Sequence, residues 1–349
     1  MKKGMCFLGI ILLASCKPYK AKEERLNAIS KLEIKHLITD SILSVRALEV
    51  NENRVVAATA KGDVYSDIGF QGVLKKEDYW KFTSDSLRNN NFRSLAFQDD
   101  KNFTLSIGNP AKLFCNGSLV YFETHDKVFY DAMDFWNAKE GIAIGDPTDG
   151  CMSIIITRDG GNTWSKLSCD TLPKTNESEA AFAASDTNIA IVGEHTWVAT
   201  GGKSSRILYS SDKGYTWEVF DTPIVQGKAT TGIYSIDFYD ALHGFAIGGD
   251  YTKPDENTAN KIRTIDGGKT WEIVGADQAP GYRSCVQYVP HGDGNELVVV
   301  GFKGIDYSSD GGLNWKHLSD ESYYTLRFVN DSLAYAAGKG RISKLTFRE

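Results

Sequence analysis

The chain has 349 residues and carries 33 Gly, 16 Tyr, 17 Phe and 7 Trp against only 8 Pro and 4 Met, a mixture unlike that of a helical protein. Hydrophobic residues at 42% and charged residues at 24% match a globular chain, which excludes disorder and collagen-like structure for its bulk. A formal net charge of −6, from 39 Lys plus Arg against 45 Asp plus Glu, argues against a protein that neutralises many phosphates, so nucleic acid is not an expected partner.

Lys2 and Lys3 precede an apolar run from Met5 to Leu13, followed by Ala14 and Ser15. This is the pattern of a secretory signal, too short to span a bilayer as a stable helix. The ending Leu13-Ala14-Ser15-Cys16 resembles a bacterial lipobox. That resemblance implies cleavage after residue 15, a lipid on Cys16 and anchorage at the cell envelope. Lys17 is not the Asp that favours inner-membrane retention, so the resemblance points to the outer membrane. Residues 16–31 then form a tether, and 32–349 are expected to fold as one domain.

Beyond the tether, short alternating runs bounded by Gly and Asp predict strands. An eight-residue string organises them: TRDGGNTW from Thr157, SSDKGYTW from Ser210, TIDGGKTW from Thr264 and SSDGGLNW from Ser308. Its acids, Asp159, Asp212, Asp266 and Asp310, recur about every 50 residues, which suits one four-stranded propeller blade per repeat. In each copy the Ser/Thr hydroxyl and the Asp carboxylate can bond backbone groups of a hairpin turn, and Gly takes a conformation closed to other residues. The tryptophans Trp164, Trp217, Trp271 and Trp315 then start an outer strand and pack between blades. A structural role for these acids far outweighs a catalytic one.

Upstream of two boxes, FWNAKEGIAIG and FYDALHGFAIG align without a gap as inner strand, turn and second strand. The spacing places blades near 44–80, 92–125, 128–170, 180–222, 232–276, 283–319 and 322–349, the first two without a box. The last segment supplies only three strands, and Leu32 to Ile38 can add the fourth, closing an all-β ring of seven blades. Closure removes the sheet edges that invite aggregation, and a monomer is expected. Deleting that strand should unfold the ring cooperatively. Cys151 and Cys169 flank the hairpin around residue 160 and can lie opposite each other, as a disulfide or as two thiols.

Because the chain runs up and down four times per blade, the box turns share one face, and the loops after second strands and the links between blades share the other. That second face receives Asp146, Glu179, Arg206, Asp250, Tyr251, Arg283 and Ser284. Each alone can be a solvated loop residue. Together they place acids and an arginine at equivalent strand ends around a funnel, where a propeller binds its ligand. No metal site announces itself among the six histidines and six cysteines, no phosphate loop or nucleophile elbow occurs, and no cofactor is expected.

The boxes resemble the Asp-box or BNR repeat, and the strings EAAFAAS (179–185), ATGG (199–202) and GYRS (281–284) are similar to those of photosystem II stability and assembly factors. That resemblance implies a non-catalytic scaffold that binds a protein or glycan at the envelope. Sialidases share the boxes and imply a competing glycoside hydrolase. Their chemistry needs an arginine triad, for which Arg206, Arg283 and Arg341 are candidates, and a tyrosine nucleophile, Tyr307 or Tyr323.

Overall fold

The computed structural model describes residues 28–51, 53–77, 90–98 and 100–349. The expected leader 1–15, the lipidation site Cys16 and most of the tether lie outside them. Every regular element among the described residues is a strand, and the strands form six antiparallel sheets. One sheet holds two blades, because Lys31–Val50 is shared between them. Its first half pairs with Lys339–Arg348 in the register Leu32↔Phe347 and Ile34↔Leu345. Its second half pairs with Arg54–Thr59 through Val50↔Val55. The N-terminal strand therefore completes the last blade and, without interruption, opens the first.

Seven innermost strands follow one another around the axis: 45–50, Phe92–Gln98, Tyr130–Phe135, Ile189–Val192, Thr231–Phe238, Cys285–Tyr288 and Thr325–Phe328, the last returning to the first. The core is likewise divided into seven clusters, one between each pair of neighbouring blades. Strand alternation produces this division. Ile142 and Ile144 join the cluster against the fourth blade, whereas Ala143 between them joins the cluster against the second. Val298 and Val300 face the seventh blade, and Val299 faces the fifth. Both faces of a blade are buried, so strands such as GIAIG, SIIIT and LVVVG are buried throughout, and their central residues are apolar without alternation.

The four box turns share one geometry. Thr264 donates to Asp266 Oδ1 at 2.8 Å and accepts the Gly268 amide at 3.0 Å, while Thr270 donates its amide to Oδ1 and its hydroxyl to Oδ2 of Asp266. The same bonds recur around Asp159 and Asp212, and around Asp310 with the Asn314 side-chain amide donating in place of the Thr hydroxyl. Gly268 and Gly312 have φ of +83° and +86°, and a Cβ on Gly312 would collide with the Phe245 ring of the preceding blade. Trp164, Trp271 and Trp315 stand edge-on to Phe135, Phe238 and Phe245 respectively. Trp217 packs on the cluster between the third and fourth blades. Cys151 and Cys169 form a disulfide with Cα atoms 5.5 Å apart.

One expected boundary moves. The fourth blade, placed at 180–222 from spacing, begins at Ile189. Glu179–Ala180 instead pairs with Gly201–Gly202 at the margin of the fifth blade's sheet, and 181–188 leaves the ring altogether.

Candidate functional site

Residues 181–188 run down the central channel and close it. Along this segment Ala183 O accepts Arg93 of the second blade, and Asp186 accepts the amides of Leu95 and Met133 at 2.8 and 3.3 Å. The Ser185 hydroxyl donates to Ser284 O, Thr325 donates to Ser185 O, Thr187 bonds Ser235, and Arg327 donates to Asp186 O. One short segment thus bonds the second, third, fifth, sixth and seventh blades. With the channel closed, the face opposite the boxes becomes a cup with a floor.

The cup has a volume of about 490 Å³. Its floor is 180–184, with the Phe182 ring among it, and its wall is aromatic: Phe129, Tyr234, Tyr251, Tyr282, Phe302 and Tyr324. Phe182 stacks on Tyr234 at 4.1 Å, Tyr234 meets Tyr282 edge-on at 4.8 Å, and Tyr282 leans on Phe302 at 5.1 Å. Tyr251 and Phe302 remain exposed at the mouth. Such rings offer apolar area with little loss of side-chain entropy on binding.

Two arginines interrupt this apolar wall. The Arg46 guanidinium lies 3.9 Å from the centre of the Tyr324 ring, a cation–π contact, and donates weakly to Ser44. Arg93 donates to Asn91 Oδ1 and to Ala183 O. Burial makes both less basic, and Arg93 is held at about 10 by burial and then by repulsion from Arg46. Neither forms a salt bridge with a carboxylate among the described residues. Asp146, also in the wall, accepts the Ala181 amide at 2.9 Å, yet burial outweighs that bond and raises its carboxyl to about 6. Beneath lies the fully buried Asp131, pushed well above the usual carboxylate range by burial and then by Asp146.

All seven rim residues lie on the face opposite the boxes, but they divide in use. Asp146, Tyr251 and Ser284 line the cup. Glu179 and Arg206 bind each other at 2.6 Å, and Glu179 also accepts Thr200 and the Asn176 amide, which makes the pair a buried brace. Arg283 is likewise held by Asp306 at 2.6 Å, with both side chains buried. Asp250 caps Thr252, whose hydroxyl and amide outweigh burial and hold the carboxyl low. The arginine triad does not assemble: Arg206, Arg283 and Arg341 are each paired with a different acid, Arg341 with Glu321. The sequence reading missed Arg46, Arg93, Phe129, Phe182, Tyr234 and Tyr324. Most begin inner strands, a position that an alignment of strand starts marks. No group of three or more metal-ligating side chains occurs among the described residues.

No protein-family model matches the chain, and no curated protein sequence matches it. Solved structures match throughout. A structure described as YCF48 bound to D1 peptide superposes with a TM-score of 0.64 at 12% identity, covering 93% of this chain and 98% of that one. The WD40 repeats of RRP9 give 0.64 at 12% identity, over 92% and 100% of the two chains. The GH74 enzyme of Niastella koreensis gives 0.62 at 11% identity, over 88% of this chain and 53% of the enzyme. At such identities the likeness is one of fold, and the fold is a β-propeller, as the repeats imply.

Proposed function

We propose that this chain is an envelope-anchored, non-catalytic propeller that recognises a partner protein through the cup. One observation carries the reading: two arginines that form no salt bridge with a carboxylate among the described residues stand in an aromatic cup whose floor seals the channel, Arg93 having only the buried Asp131 as an attracting acid nearby. Desolvated guanidinium groups are costly unless an anion meets them, so the cup favours a ligand that joins an apolar surface to an acidic group. That a propeller of this fold has been solved with a peptide supports the reading. The anchor fits it as well. Lys31 enters the ring on the box face, paired with Arg348 at the lower end of the last blade, so the proposed tether joins the ring on the face away from the cup. Outer-membrane placement and a monomeric state belong to the same proposal.

The test is photo-crosslinking in the native envelope from the cup mouth, Phe302→benzoylphenylalanine, beside the same substitution at exposed Leu313 on the box face. A partner crosslinked from 302, lost with Arg93→Gln and absent from 313, is the expected result. Equal capture from both faces would contradict it. The competing glycoside hydrolase has one observation in its favour, because Asp146, held at about 6, is a carboxyl suited to give up a proton near neutrality. Glycoside turnover lost in Asp146→Asn would establish it.

A further inference from the structure

The box turn prescribes only some of its eight residues. In the copy from Thr264 the first, third and seventh make the hydrogen bonds, the fifth is a glycine at positive φ, and the eighth is the tryptophan that packs inward. The second and sixth have no part in the turn. Across the four copies, three of these positions nevertheless carry large apolar side chains aimed at solvent: Ile265, Tyr215 and Leu313 are 69%, 65% and 44% exposed. Other turns of the same face add exposed Leu242, between the first two strands of the fifth blade, and exposed Ile68 and Val73, at the hairpin joining the last two strands of the first. The exposed apolar residues of the cup face are fewer, and Tyr251 and Phe302 among them belong to the cup mouth.

Apolar groups held out in water cost free energy, and their recurrence on one face marks contact with another phase or molecule. These six stand on the first, fourth, fifth and sixth blades, so they are spread around the ring. Single turn tips at such spacing suit a broad, yielding surface better than a compact partner. Tyr215 fits that setting closely. The Arg158 guanidinium lies 4.1 Å from the centre of its ring and steadies it, and a tyrosine with an apolar ring and a wet hydroxyl is at home at the boundary between headgroups and acyl chains.

The path of the chain is a second, independent observation. The described residues begin at the box-face end of the seam between the sixth and seventh blades, where Ile29 packs in the core between them and Lys316 donates to Ser30 O at 2.9 Å. Only residues 17–27 separate this point from Cys16. At the extended limit of about 3.6 Å per residue, such a length reaches about 40 Å. We infer that the box face rests on a phospholipid surface, with its turn tips set among the headgroups and the cup turned away. The inference rests on the envelope anchor of the proposed function, which brings this face to the bilayer.

The experiment uses the full-length chain in its native envelope, with benzoylphenylalanine placed at Leu242 on the box face or at Tyr251 on the cup mouth. After irradiation the membranes are pelleted, and the peptide carrying the probe is searched by mass spectrometry for a phospholipid adduct. The expected result is at least about fivefold more lipid adduct from 242 than from 251. The triple variant Tyr215→Ser/Ile265→Ser/Leu313→Ser, with an unchanged melting midpoint, should lower the yield at 242 about threefold. If the chain pellets with the membranes while 242 yields no more lipid adduct than 251, the docked face is refuted and the anchor stands. If the chain does not pellet, the anchor itself fails. Protein adducts in place of lipid at 242 would overturn the lipid surface as the occupant, and an unchanged yield in the triple variant would overturn the role of the tips.

Discussion

Asp266 and Asp146 are both partly buried aspartates at strand ends, on opposite faces of one ring. Around Asp266 three hydrogen bonds from Thr264 and Thr270 outweigh burial and hold its carboxyl below the usual range. Around Asp146 a single amide bond does not, and the carboxyl rises to about 6. The box face uses its polar groups on its own turns, whereas the cup face leaves some of them incompletely satisfied. Unsatisfied polar groups in a concave wall distinguish a site from a scaffold more clearly than the residue types do. Rim position alone is no guide, since Glu179, Arg206 and Arg283 lie on the cup face and act as scaffold.

The largest expected effect tests that last point. Asp306→Ala strands the buried Arg283 guanidinium and should cost about 3–5 kcal/mol in denaturant unfolding, since one partner of a buried ion pair is removed. A cost below about 1 kcal/mol would move Arg283 from the scaffold to the free set. Next comes Asp146→Asn. Its carboxyl has a folded pKa above the unfolded value, so its contribution to stability is full below pH ~4 and is lost as pH rises through about 6. The variant should therefore be more stable than the wild type at pH 7, by roughly 2 kcal/mol, with the gain vanishing at pH ~4. Asp266→Ala should show the opposite sign. It loses about 1–2 kcal/mol at pH 7, and the loss shrinks as pH falls through the carboxylate range, where the wild-type bonds are also lost. Parallel pH profiles for the two variants would erase the contrast between the faces.

The ring was legible because its signals are local and repeated. A box writes its turn within eight residues, and the missing strand of the last blade pointed to Leu32–Ile38, which pairs as expected. The hairpin around residue 160 likewise brought Cys151 and Cys169 within reach. Strand direction sufficed to assign rim residues to a face. It did not suffice to tell which would pair, because Glu179 with Arg206 and Arg283 with Asp306 join residues from separate loops. The channel segment was hidden for another reason. Residues 181–184 are small or apolar like those of an inner strand, and only the hydrogen bonds of Ser185, Asp186 and Thr187 to distant blades reveal a plug. Arg46 and Arg93 sit in the two blades without a box, where nothing in the repeat aligned them.

The proposed function requires that the closed cup, and not the box face, hold the partner. Hydrogen–deuterium exchange of the full-length chain, with and without the partner captured through position 302, tests it most directly. Slowed exchange at 180–184 and 282–284, with the box turns at 266–271 and 310–315 unchanged, is the predicted result. Protection of the box turns while the cup floor exchanges as before would contradict it.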